Sequence, residues 1–153
     1  MQGSPIAVQF KFYLDSANGR FDAQGTVDNI SAAQINTISI PMANTKLTSL
    51  QVQHLEFKLS ADNYNAWSDV KMRYSNLAVV LNKTDEQTGA TVTRKFITNL
   101  LNKYVLWHDN PMPGQSERVA THVQYYRLTT QAFFGVIWKS IFAGMQNIML
   151  KSG

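Results

Sequence analysis

The sequence predicts an α+β fold: a curved antiparallel β-sheet with short helices and a long amphipathic C-terminal helix. Three observations lead there. Apolar and polar residues alternate with a period of two in successive stretches of the first half, turn-forming residues separate those stretches, and residues 130–150 switch to the period of a helix.

In the first stretch, residues 6–14, Ile6, Val8, Phe10, Phe12 and Leu14 share one phase, which reads as a half-buried strand. Asp15-Ser16-Ala17-Asn18-Gly19 supplies turn chemistry, because Asn and Gly tolerate positive φ. A second strand over 20–27 completes a hairpin, with Phe21, Ala23, Gly25 and Val27 on one face; Gly25 marks a bulge or a close backbone approach. Ser31 caps a short helix over 32–36, and Ile38-Ser39-Ile40-Pro41 reads as extended, since proline biases its predecessor away from helix. Strands over 49–61 and 66–74 form an antiparallel hairpin across Asp62-Asn63-Tyr64-Asn65, and a fifth strand over 77–81 runs into a polar loop, 82–89. Phe96, Ile97, Leu100, Leu101 and Val105 have helical spacing, predicting a helix over 94–104 that Asn110-Pro111-Met112-Pro113-Gly114 cannot continue. A last strand over 119–128 precedes the terminal helix.

That helix has the strongest pattern. At 100° per residue Phe133, Phe134, Ile137, Trp138, Ile141, Phe142, Met145, Ile148 and Met149 fall with Gly144 on one half of the wheel, and Lys139, Ser140, Gln146 and Asn147 fall with Gly135, Val136, Ala143 and Leu150 on the other. Its length approaches a bilayer's thickness, but Lys139 near its middle would cost about 2.5–3.5 kcal/mol in hydrocarbon, so spanning is disfavoured. The apolar half either packs on the sheet or contacts lipid at an interface.

At 153 residues the whole of 1–153 is expected to be one domain with a core of its own. Charged residues are only 16% of the chain, below the usual ~25%. Lys and Arg exceed Asp and Glu by 14 to 10, but they are scattered, and nucleic-acid binders concentrate base to displace counterions together; no nucleic-acid partner is expected. Zero cysteines exclude disulfides, thiolate nucleophiles and cysteine-built zinc sites. His54, His108 and His122 lack metal-ligand spacing, the catalytic and nucleotide-binding loop signatures do not occur, and Asp85-Glu86 sits in polar loop sequence. No catalytic residue, metal or cofactor is therefore assigned. The sequence has no signal peptide, so the protein is either cytosolic or a piece of a longer exported one.

Four pieces, in order, carry a resemblance: Phe21-Asp22-Ala23-Gln24-Gly25-Thr26-Val27, Tyr74-Ser75-Asn76-Leu77, Asp109-Asn110-Pro111, and Phe133-Phe134-Gly135-Val136-Ile137-Trp138-Lys139-Ser140 leading to Gly144. Together they resemble the C-terminal region of AsmA-like (AsmA/TamB-type) proteins of the Gram-negative envelope, in the form found in Bacteroidetes. The resemblance implies a C-terminal fragment of a longer periplasmic protein, anchored in the inner membrane elsewhere in the full chain, whose β-rich body forms a lipid-lined groove. It implies phospholipid transport or outer-membrane homeostasis, and carries no catalytic residue over.

The expected function is thus a non-enzymatic module. It contacts lipid, a membrane surface or the rest of its own longer chain through apolar sheet and helix faces, the nine apolar helix residues foremost, and self-associates when isolated. A purely structural capping domain would use the same residues for packing, and a hydrolase with an assembled site is the third reading.

Overall fold

The computed structural model describes residues 6–43, 45–84, 91–93, 105–128 and 130–151. Along the chain lie β1 (Ile6–Phe12), β2 (Phe21–Ser31), α1 (Ala32–Ala43), β3 (Thr45–Ala61), β4 (Asn65–Thr84), β5 (Thr91–Thr93), β6 (Val119–Tyr126) and α2 (Phe133–Met149). The fold is α+β. Neighbours run β1-β2-β3-β4, all antiparallel; β6 pairs with the first part of β4, and the short β5 pairs with its last three residues, Asn82 to Thr84.

The period-two pattern decides the two faces. In register, Val8 sits beside Gly25 and Phe57, and Phe10 beside Ala23 and Leu59, so the even positions of β1 and the odd positions of β2 and β3 form one apolar face. The same face continues through Ala66, Ser68, Val70 and Met72 of β4. Phe57, Leu59, Val70 and Met72 are buried there beneath Val136, Ile141, Met145 and Ile148 of α2. Gln9, Lys11, Asp22, Gln24, Lys58 and Asp69 belong to the other, polar face.

Helix α2 comes close to β4 because the contact residues are small. The Ser68 hydroxyl donates to the Ser140 carbonyl at 2.9 Å, the Ser140 hydroxyl donates to the Val136 carbonyl at 2.7 Å, and a Cβ at Gly144 would drive into Val70. Its C-terminal carbonyls, orphaned by the end of the helix, find donors nearby: the Met149 carbonyl accepts the Trp107 N–H at 2.8 Å, and the Ile148 carbonyl accepts Arg118 Nε at 3.3 Å.

Several elements differ from the sequence reading. Residues 66–74 and 77–81 are one continuous strand, because Asn76 takes a left-handed conformation (φ 58°) that absorbs the irregularity without ending the strand. Its N–H is held by Asp109 Oδ1 at 2.9 Å, and its carbonyl accepts the Ser49 hydroxyl at 2.5 Å. Residues 82–84, read as loop, belong to the same strand. Ile38-Ser39-Ile40-Pro41 is helical, not extended: α1 begins with Gln34 Oε1 accepting the Ser31 N–H at 2.8 Å, and Pro41 falls in its last turn. The Asn36 amide holds the helix to the start of β3, donating to the Leu47 carbonyl at 2.9 Å and accepting its N–H at 2.7 Å, an anchorage that outweighs local propensity. The helix expected over 94–104 lies outside the described residues.

Gly25 is a close approach without a bulge. The β1–β2 register passes unbroken through it, and a Cβ there would lie 2.6 Å from the Ala7 carbonyl oxygen and 2.9 Å from the Phe57 ring.

Candidate functional site

Strand β1 is an edge strand, and all seven of its residues are exposed, against the half-buried expectation. The cause is the path of α2, which packs on β4 and β6 and touches β3: Phe21, Ala23 and Val27 of β2 stay buried, but the apolar row of β1 is left open. Between the helix and that open row runs a groove of about 530 Å³. One wall is Phe134, Ile137, Trp138, Ile141, Phe142 and Met145 of α2; the floor and far wall are Ile6, Val8 and Phe10 of β1 with Val27, Ile30, Leu55 and Phe57; Gln34, Ile35 and Thr37 of α1 close one end. Among the described residues of this lining, Gln34 and Thr37 are the only polar side chains. The volume falls within the ordinary range for small-ligand pockets.

At the other end Phe133 gathers an aromatic cluster. Its ring lies 4.7 Å from Phe21, 5.8 Å from Phe10, 5.7 Å from Phe12 and 5.3 Å from Phe134, centroid to centroid, distances suited to tilted and edge-to-face packing.

The nine apolar helix residues therefore divide. Phe134, Ile137, Trp138, Ile141, Phe142 and Met145 line the groove, and Phe133 stands at its mouth. Ile148 and Met149 do not reach it; both are buried in the core, Ile148 at 1% exposure. The buried stripe is also rotated from the most apolar half of the wheel. Val136 and Ser140, grouped with the polar half by sequence, are fully buried against the sheet, whereas Phe134 and Trp138 remain 66% and 42% exposed. Packing density favours small side chains at the tightest contact, so the largest aromatics are turned aside toward the groove.

Sequence reasoning expected an apolar sheet face in the contact but singled out none of the residues of the opposite wall. Its signal was the unbroken apolar row of β1, which periodicity alone assigns to the core. His54, which lacks metal-ligand spacing in the sequence, has its Nδ1 2.5 Å from Asp28 Oδ1, a pairing that sequence separation conceals. His108 and Asp109, adjacent in sequence, act separately: His108 Nδ1 meets the Leu77 carbonyl at 2.9 Å, and Asp109 binds the Asn76 N–H. Among the described residues no group of three or more His, Cys, Asp or Glu is placed to hold a metal ion.

A second hollow, of about 850 Å³, lies on the polar face. Lys11, Arg20 and Lys58 share it with Asp22 and Asp69, so it presents no field of one sign to a charged ligand. Asp22 is already engaged, accepting the Tyr13 hydroxyl at 2.7 Å and the Ser60 hydroxyl at 2.8 Å. Burial pushes its pKa up, but these hydrogen bonds and the Arg20 and Lys11 charges outweigh burial and hold it below the usual carboxylate value.

Comparison of the chain with protein-family models, with curated proteins and with solved structures gives no match. Among the described residues no helix is long and apolar enough to cross a membrane.

Proposed function

We propose that the chain is a non-enzymatic lipid-handling module, whose groove takes a hydrocarbon chain, within a periplasmic protein of the AsmA-like type that serves phospholipid transport or outer-membrane homeostasis. The groove itself carries the reading: a trough lined almost wholly by apolar side chains, with aromatics left open at its rim. An acyl chain gains about 25 cal/mol for each Å² withdrawn from water and needs no exact polar geometry, which matches a lining whose described residues are apolar save Gln34 and Thr37.

The three tryptophans make the test, because they occupy different places. Trp138 lines the groove, Trp67 lies on the polar face, and Trp107 sits between Arg118 and Lys151, 4.5 and 5.1 Å from its ring. A bromine-substituted stearate should quench the Trp138 component of the fluorescence, and the Trp138→Phe chain should lose that saturable quenching. Quenching that is unchanged in Trp138→Phe, or absent from the native chain, would overturn the reading.

The exposed edge of β1 favours a second reading, a structural module whose uncovered strand packs on neighbouring β-structure. Under it the chain binds no stearate.

A further inference from the structure

We propose that β1 pairs antiparallel with β1 of a second copy of the chain, about a two-fold axis at Gln9. The outer edge of β1 is a row of alternate backbone N–H and C=O groups that no described strand pairs, and such an edge is a template for another strand. The sequence of this strand is complementary to itself when reversed about Gln9. Val8 then faces Phe10 of the copy and Ile6 faces Phe12, aliphatic against aromatic on the same side of the sheet, the cross-strand combination that stabilises antiparallel pairs.

The charges agree. Lys11 faces Ala7 of the copy, and the two lysines lie four residues apart along the strand, about 13 Å at the rise of a strand, while each keeps Asp22 of its own chain as its neighbour on β2. The axis stands perpendicular to the sheet, so both α2 helices lie on the same side. The two grooves, each open at β1, meet across the new pair and become one trough walled by Trp138 at either end. The ligand of the joined trough, a lipid with two acyl chains, rests on the acyl-chain reading above; the pairing itself does not.

Position 9 provides the experiment. Gln9 lies on the polar face, outside the groove, so substituting it leaves the lining intact. Sedimentation of the full chain without lipid should show a dimer. Gln9→Lys and Gln9→Glu each set like charges directly opposite at the axis and should each weaken self-association about fivefold or more. An equal mixture of the two chains should restore the dimer, because only an axis at Gln9 brings the two altered positions together. A native chain that stays monomeric at high micromolar concentration, variants that dimerise as before, or a mixture that fails to recover would each overturn the pairing. Stearate quenching measured on Gln9→Lys reports the groove separately, so the acyl-chain reading can stand or fall alone.

Discussion

Asn110 and Tyr74 exchange both of their backbone hydrogen bonds, Tyr74 N–H to the Asn110 carbonyl at 3.1 Å and Asn110 N–H to the Tyr74 carbonyl at 2.9 Å. Asn110, in an irregular segment, thus continues the ladder along β4 past the start of β6, and the His108 carbonyl extends it by accepting the Leu77 N–H at 2.9 Å. The Asn110 side chain completes the arrangement. Its amide nitrogen donates to the Met72 carbonyl at 2.6 Å and the Arg118 carbonyl at 2.8 Å, and its oxygen accepts the Arg118 N–H at 2.8 Å.

Asn110→Ala removes all three side-chain bonds at a site with 1% exposure and leaves their partners without replacements. The expected loss is about 3 kcal/mol, a fall in thermal midpoint of about 6–12 °C for a domain of this size. Differential scanning calorimetry checks it, with Asp109→Ala, which removes one side-chain bond to the Asn76 N–H, as the milder comparison. Equal midpoints for the two variants would show that the Asn110 bonds contribute nothing special.

Gly25→Val should destabilise although valine favours strands. A side chain there must displace the Ala7 carbonyl, 2.6 Å from the added Cβ, and backbone cannot swing aside as a flexible side-chain end can. Overpacking of this kind costs about 1–3 kcal/mol. Urea unfolding should show a lower midpoint with an unchanged slope. A midpoint at or above that of the native chain would mean that β1 yields freely.

The strands were legible because their alternation follows one apolar face, buried in β2 to β4 and left open in β1, and the β1–β2 turn because Asn18-Gly19 has few other conformations to serve. What escaped reading was decided by tertiary contact. Nothing local in Ile38-Ser39-Ile40-Pro41 announces a helix; the Asn36 amide on the Leu47 backbone holds the segment that way. Ser75-Asn76 looks like a break until Asp109, far along the chain, receives the Asn76 N–H. The groove was half legible. Hydrophobic periodicity identifies Phe134 and Trp138 as apolar-face residues, but which part of an apolar half-cylinder is buried depends on the small partners Ser68, Ser140 and Gly144.

Asp22 should give stability an acid limb. Its pKa in the folded chain lies below the ordinary carboxylate value, so its contribution is fully present above that value and fades as pH falls through the folded one. Asp22→Asn keeps the shape and abolishes the titration. Stability of the native chain should fall more steeply than that of Asp22→Asn on acidification below the ordinary carboxylate range, read from urea midpoints over a pH series. Parallel curves for the two chains would remove Asp22 from the acid response.

Ile141 and Trp138 line the same groove from the same helix, yet substitutions at the two should fail in different ways. Ile141 is 2% exposed and serves the core as well as the groove, so Ile141→Asp buries a carboxylate where the described groove lining offers no basic side chain and should cost several kcal/mol, enough to abolish the cooperative unfolding transition. Trp138, at 42% exposure, is fixed mainly on its groove side; Trp138→Ala should lower stability by about 1 kcal/mol, less than a buried aromatic would lose, and leave the transition cooperative. What Trp138→Ala removes is apolar wall. Co-sedimentation of the native chain with phospholipid vesicles should exceed that of Trp138→Ala at equal concentration, while circular dichroism of the two remains alike. If Trp138→Ala unfolds as Ile141→Asp does, the rim tryptophan is a core residue. If it folds and sediments with vesicles as the native chain does, the groove rim is not the lipid contact and packing on neighbouring β-structure becomes the better account of the exposed face.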